Sequence, residues 1–376
     1  MGNLQARITR QIKAEGPISV AEYMTLCLLD PIDGYYPTRD PLGSDGDFIT
    51  APEISQMFGE VIGLWCIQTW RDMGSPSAVQ LIELGPGRGI MMSDILRAGQ
   101  LDKGFIKAAR VSLIEASAAL EAVQGRTLAN APCPVSWVSD LSKVEAGPSI
   151  IIGNEFLDCL PIRQFIQKDR FAGRAGWQER MVMLDDEDTL SFGLSPVPIA
   201  ENLQDTLPAG QSEAKNDDLL ETCPAALQIL DQIKARFEAH IGRALFIDYG
   251  PETTEFGDTL QALKRHEKVG VFSNAGNTDL TARVDFAALG EIARGLNLAA
   301  TMPVTQREFL SKLGIEMRAV TLSRAKPESK EKIARQLHRL TDSDEMGELF
   351  KAIGFQSGEL GLPIGFRDMA TKDKAS

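Results

Sequence analysis

From residue 79 onward the chain repeats one unit, a short apolar run followed by a segment with helical spacing. "VQLIEL", "MMSDILRA", "RVSLIE", "SAALEAVQGRTLA", "PVSWVS" and "SIIIGNEF" follow one another in that order. A strand that reads as a near-continuous apolar run is buried on both faces, and parallel strands need crossover helices between them. The alternation therefore predicts an α/β fold with a doubly wound, mostly parallel sheet. Its first strand is expected at 79–84 and its fifth at "ALFIDYG", 244–250. At 376 residues the chain is long enough to bury such a core.

Flanking segments read differently. Residues 1–75 are expected to form an N-terminal helical extension, in which "LQARITRQIKAEG" closes on Gly16-Pro17 and "VAEYMTLCLLD" closes before Pro31. The turn-rich loop "PIDGYYPTRDPLGSDGDFITAPEIS", with Tyr35, Tyr36 and Phe48, is too long for a passive connection and reads as functional. In "TAPE", Thr50 caps, Pro52 sits in the first turn and Glu53 reaches back, a capping box predicting one helix to about Met73. Residues 76–376 then form the main domain, interrupted at about 163–240 by an insertion with hairpins and a helix. "LNLAATM" reads as a strand, and the remainder, including "MGELFKAIGF", as helical with room for a last strand.

The net charge of −13 argues against a broad nucleic-acid-binding face, which needs clustered Lys and Arg, and favours a basic partner. Five cysteines without a C-x-x-C pair suggest neither a zinc knuckle nor a disulfide framework, so no metal is expected. No apolar run approaches membrane-spanning length and no signal peptide is read, so a cytoplasmic location without membrane insertion is expected. "MGNLQA" begins like a myristoylation signal, but Ala6 stands where Ser or Thr is required.

Between the first strand and its helix lies "LIELGPGRGI", with Gly85, Gly87 and Gly89 at every second position. A glycine turn of this kind brings backbone N–H groups and a helix N-terminus to a ligand. The dinucleotide spacing G-x-G-x-x-G would put its third glycine where Ile90 stands, and the lysine and hydroxyl of a P-loop are missing. Glu83 narrows the choice, because a carboxylate at this strand end would repel a pyrophosphate and attract an ammonium or sulfonium group. Its bland alternative is to cap a backbone group. Glu115, ending the second strand, stands where a ribose-binding carboxylate belongs. Asp140, past the third strand, either accepts from an adenine amino group, with the Leu141 N–H donating to the ring, or caps the following segment. Adenosine joined to a cationic amino-acid tail is S-adenosylmethionine, and the constellation resembles class I methyltransferases.

After the fourth strand come Asn154, Glu155, Phe156 and Asp158. Three residues apart, Glu155 and Asp158 would face the same side of a helical turn, and two carboxylates suit the planar fork of a guanidinium. "GDFITAPEISQMFGEVIG", "ELGPGRG", "NEFLDCLPIRQF", "IDYG" and "DLTARVDF", in this order, resemble the MidA-like family of methyltransferases, from about Gly16 to "MGELFK". The resemblance implies arginine methylation of a respiratory complex I subunit. It also implies cofactor contacts from Glu83, Gly85, Gly87, Gly89, Glu115 and Asn154, and a substrate border at Asn154 to Asp158. Glu155 and Asp158 are then the catalytic candidates, with Phe48, Thr50 and Phe156 on the substrate loop. The family's usual "TSPE" is "TAPE" here. With no mitochondrial presequence read, a bacterial-type member is expected, and a homodimer is left open. Competing readings are a non-catalytic assembly chaperone that keeps the cofactor fold and an NAD-linked oxidoreductase, the latter opposed by Glu83 and Ile90.

Overall fold

The computed structural model describes residues 3–38, 50–171, 174–200, 204, 207–264 and 267–367. Its central sheet contains β1 (Val79–Leu84), β2 (Ala109–Ile114), β3 (Val135–Val138), β4 (Ser149–Asn154), β9 (Gly242–Tyr249) and β10 (Phe350–Gln356). Their spatial order is β10-β9-β4-β1-β2-β3, with the two-residue strand Ala299–Ala300 outside β10. Strands β1, β2, β3, β4 and β9 pair in parallel, and β10 runs antiparallel to β9 from Tyr249↔Phe350 to Arg243↔Gln356.

Alternate residues of each run serve opposite layers, which is why the strands read as continuous apolar stretches. Leu81, Ile150, Ile152, Leu245 and Ile247 pack with α3 (Gln56–Asp72) and α4 (Ile90–Gly99). Ile82, Ile151, Ala244 and Phe246 pack with α6 (Pro224–Ala239) and α7 (Phe286–Gly295). Gly59 and Gly63 bring α3 directly onto α4, since a Cβ at either would lie 2.5 Å from the Asp94 Cβ or 2.8 Å from that of Ala98. This contact fixes α4, whose N-terminus carries the glycine loop.

A third core roofs the sheet's C-terminal edge. Leu4 and Ile8 of α1 (Asn3–Glu15) and Tyr23, Met24 and Leu28 of α2 (Val20–Leu29) pack with Val182, Leu190, Leu260 and Leu280. Val182 and Leu190 come from strands that follow β4: β5 (Arg163–Phe171), β6 (Arg174–Leu184), β7 (Leu190–Pro198) and β8 (Leu219–Thr222). Ile18 and Ser19 pair with β6, so the chain's beginning and the segment after β4 build one layer.

Several local expectations change. Thr50 precedes a helix of only four residues, Ala51–Ile54, and makes no side-chain capping bond. Ser55, extended at φ −159°, ends that helix, and its hydroxyl accepts from the Met57 N–H to start α3. Serine side chains compete for backbone donors in this way, which favours caps over helix interiors. "LNLAATM" contributes only the short edge strand, and "MGELFKAIGF" divides into the helix Met346–Leu349 and β10. An apolar run this short has no periodicity that separates strand from helix, and pairing with β9 decides it.

Candidate active site

Strand order reverses between β1 and β4, whose neighbours β2 and β9 lie on opposite sides. Loops leaving two such strands diverge and open a crevice at their carboxyl ends. Here the crevice is a cleft of about 590 Å³, lined by every cofactor candidate except Gly89 and by Glu155, Asp158, Thr50 and Phe156. Phe48 lies outside the described residues. Among those described, the cleft's charged lining is Glu53, Glu83, Glu115, Asp140, Glu155, Asp158 and Asp279 against the single basic residue Arg88.

The β1 side is shaped by backbone. Gly85, Gly87 and Gly89 have φ values of 60°, 54° and 77°. A residue with a Cβ pays roughly 1–2 kcal/mol in that left-handed region, so the every-second-residue spacing follows from local conformation. At Gly85 a Cβ would also lie 2.9 Å from the Phe156 ring. Glu83 is 2 % exposed, its Oε2 is buried without a hydrogen-bond partner, and burial pushes its pKa up to about 8. A carboxyl so placed gains from a cationic ligand, and capping does not account for that oxygen.

Glu115 immediately follows β2, with its Oε1 accepting from Ser117 N–H (2.7 Å) and its Oε2 from Gln124 Nε2 (2.9 Å). Burial raises its pKa, and those two bonds oppose the rise. Asp140 accepts from Ser142 N–H at 2.8 Å and caps the single turn Leu141–Lys143 while lining the cleft. Asn154 donates to Glu155 Oε1 at 3.1 Å, and its own Oδ1 is buried without a partner.

Across the cleft the chain after β4 forms a turn, so a shared helical face does not bring Glu155 and Asp158 together. Glu155 has φ 51°, an uncommon conformation for a side chain of its size, and its Oε1 also accepts from Ala51 N–H at 2.8 Å. What folds the turn is Asp248, from "IDYG": its Oδ2 accepts from the N–H groups of Phe156, Leu157 and Asp158 at 3.0, 2.7 and 3.3 Å. Burial pushes Glu155 up to about 7 and Asp248 up to about 6. Burial, with repulsion from Asp248, Asp279 and Glu155, holds Asp158 well above the usual carboxylate range. The Tyr36 hydroxyl, from the roof, donates to the Asp279 carboxylate at 3.1 and 3.3 Å.

Sequence reading placed Tyr36 in a functional loop without naming a partner and passed over Asp248, Asp279 and Gln124. "IDYG" and "DLTARVDF" were visible as strings, but nothing local marked which acid faced the cleft. The chemistry assembled, among the described residues, is a glycine cradle holding the Glu83 and Glu115 carboxylates, beside a group of buried carboxylates around the turn after β4. Such a cleft accepts a cationic ligand on both sides. The orphaned Glu83 and Asn154 oxygens, the left-handed glycines and the Glu115 carboxylate fit the amino-acid end and ribose of S-adenosylmethionine.

Comparison with known proteins agrees. Residues 61–304 match a family described as "Putative S-adenosyl-L-methionine-dependent methyltransferase". "Protein arginine methyltransferase NDUFAF7, mitochondrial" of Danio rerio is 37% identical, with 92% of this chain and 84% of that protein covered. Its Homo sapiens counterpart is 36% identical, covering 90% and 80%. A likely methyl transferase of the COG1565 superfamily from Burkholderia thailandensis, solved with S-adenosyl-homocysteine bound, superposes with a TM-score of 0.84 at 27% identity, covering 96% of this chain and 93% of that one. Both curated relatives, and the homologue of Drosophila melanogaster, are named as mitochondrial, which overturns the expected bacterial-type cytoplasmic location. Among the described residues no helix is long and apolar enough to cross a membrane.

Proposed function

The chain belongs to the family of S-adenosyl-L-methionine-dependent methyltransferases matched over residues 61–304, and we propose that its methyl acceptor is an arginine guanidinium on a partner protein. The observation that carries this reading is the gathering of Glu155 and Asp158 with Asp248 and Asp279 in one buried region, where burial, with repulsion among them, raises the pKa values of Glu155 and Asp158 and a cationic acceptor would favour their ionised forms. A guanidinium keeps its charge and presents a planar fork of donors, which suits paired carboxylates better than an ammonium does. The curated relatives, named protein arginine methyltransferases, support the same acceptor. By family resemblance the client is a respiratory complex I subunit, and the net charge of −13 suits an arginine-bearing, basic surface.

Glu83 and Asn154 would hold the amino-acid end of the cofactor, the loop Gly85–Gly89 its approach to the backbone, and Glu115 its ribose. Asp140 and the Leu141 N–H would meet the adenine. When bound, S-adenosylmethionine supplies an electrophilic methyl group. The acceptor nitrogen forms a bond to that methyl carbon as the carbon–sulfur bond breaks with its electrons going to sulfur, and the nitrogen must give up a proton. Glu155 would take it: the hydrogen bonds from Ala51 and Asn154 both fall on Oε1, and a pKa of about 7 suits a general base. Asp158 would orient the other arm of the guanidinium. Thr50 and Phe156 line the acceptor side, and the roof formed by the N-terminal helices and the segment within 163–240 would govern access to it.

Mass spectrometry of arginine methylation in cells with and without the protein tests the acceptor. Loss of a specific methylarginine on deletion, restored by wild type and not by Glu155→Gln, is expected. A mark on another residue type would overturn the arginine assignment. Binding of a client by a wild-type protein that yields no methylated product would favour the chaperone.

A further inference from the structure

Gln124 lies on α5 (Ala118–Thr127) and is fully buried. Its Nε2 donates to the Gly87 carbonyl at 2.7 Å and to Glu115 Oε2 at 2.9 Å, and its Oε1 accepts from the Trp137 indole N–H at 2.9 Å. Gly87 is the middle residue of the glycine loop, Glu115 is the carboxylate just after β2, and Trp137 sits on β3. One amide thus ties together two separate loops of the cleft and the strand beyond them. The loop lies against the same helix at Gly89, where a Cβ would stand 3.5 Å from the Gln124 Cα.

The direction in which the amide faces follows from its partners. An indole N–H only donates, a peptide carbonyl only accepts, and an ionised carboxylate only accepts. All three are satisfied together only when the NH₂ faces Gly87 and Glu115 and the oxygen faces Trp137. No other side chain of this length offers two donors on one branch and an acceptor on the other. A glutamate would set oxygens against two acceptors, and a methionine would fill the space and bond none of the three.

We infer that Gln124 is a positioning residue of the cofactor site, clamping the apex of the glycine loop to the ribose-side carboxylate, with Trp137 fixing the amide's orientation. Without touching the cofactor, it sets the distance between the glycine loop and the ribose-side carboxylate. Ser117 N–H and Gln124 approach the two oxygens of Glu115 from the protein side, so the remaining lone pairs are the ones a ribose would use. The inference rests on the cleft being the cofactor pocket.

Calorimetry with S-adenosylmethionine and S-adenosyl-homocysteine on wild type, Gln124→Met, Gln124→Glu and Trp137→Phe tests it, at pH 8 and pH 5.5, with thermal melts of each protein. Gln124→Met should bind both ligands about tenfold more weakly, the size of effect expected when a buried polar pair is undone. Gln124→Glu should be weaker still at pH 8, where its carboxylate faces Glu115 and, farther off, Glu121. Relative to wild type at the same pH, it should recover at pH 5.5, when a shared proton restores a donor. Trp137→Phe should cost about threefold, because the amide is then free to flip. A merely space-filling role predicts the reverse ranking, with the closer-shaped Gln124→Glu equal to or better than Gln124→Met and no relative pH effect. That outcome, or Gln124→Met binding within twofold of wild type, overturns the proposal. Wild type that binds neither ligand would refute the cofactor pocket itself, and the inference with it.

Discussion

The loop after β1 and the turn after β4 face each other across one cleft, and they are held in opposite ways. On the β1 side, left-handed glycines are tied by the neutral Gln124 amide, itself oriented by an indole, so the loop is held before any ligand arrives, while Glu83 Oε2 is left without a hydrogen-bond partner among the described residues. Across the cleft, Glu155 sits in an uncommon backbone conformation, and Asp158 is buried against the repulsion of Asp248, Asp279 and Glu155. One half is shaped by hydrogen bonding around the buried carboxylate of Glu83, and the other gathers several carboxylates whose charge is relieved either by protonation or by a cation. This division suits a transferase in which a common cofactor binds a rigid half while a charged acceptor completes the other.

The sharpest way to break the comparison is Glu155→Gln. It should lower methyl transfer by about a hundredfold or more, as expected on losing a general base, and shift S-adenosylmethionine affinity by less than about threefold. Methyl incorporation and calorimetry measure the two separately, and equal losses in both would erase the distinction between the halves.

Asp248→Asn comes next, because it disturbs the acceptor of three backbone N–H groups that hold the β4 turn. Its denaturant midpoint should correspond to a loss of about 1–3 kcal/mol, with little change in cofactor affinity. Unchanged stability would mean that the turn holds without this carboxylate.

Proton linkage sharpens the comparison further. Glu83 has its folded pKa raised from 4.5 to about 8, so the folded state favours its protonated form. Its charge costs the fold nothing below pH 4.5, an increasing amount as pH rises toward 8, and a constant amount above. Glu155 acts in the same direction up to about 7. The ligand-free melting temperature should therefore fall between pH 5 and pH 8, and Glu83→Gln should flatten the slope. Binding of the cationic cofactor near pH 7 should release protons, visible as a calorimetric enthalpy that changes with buffer. A slope unaffected by Glu83→Gln would remove that residue from the linkage.

Asp140→Ala should have the smallest effect, about a threefold loss of cofactor affinity, since Asp140 is already engaged with Ser142 N–H. A loss as large as that of a Gln124 variant would place Asp140 among the principal cofactor contacts.

What could be read locally was read from residues whose role is local. Gly85, Gly87 and Gly89 announce themselves because positive φ is a property of single residues. The strands of the central sheet are legible because two buried faces leave no room for polar alternation. Glu83 could be singled out from charge alone, since a carboxylate beside such a turn disfavours most anions, and its assignment to the cationic end of the cofactor is our proposal. "TAPE" misled because Thr50 and Glu53 satisfy a pattern, whereas Ser55, two residues on, is extended and its hydroxyl accepts the Met57 N–H that starts α3.

By itself the sequence determined the sheet, the glycine cradle, the class of cofactor and the presence of acids after the fourth strand. Only the tertiary structure decided how those acids act. Asp248 reaches the turn from some 90 residues away, at Phe156, Leu157 and Asp158, and Tyr36 meets Asp279 across 243 positions. The Gln124 clamp likewise spans 37 residues to reach Gly87. A residue's conformational preference is written in the residue, but a buried charge takes its pKa and its partners from whatever the fold packs against it, and no spacing along the chain encodes that.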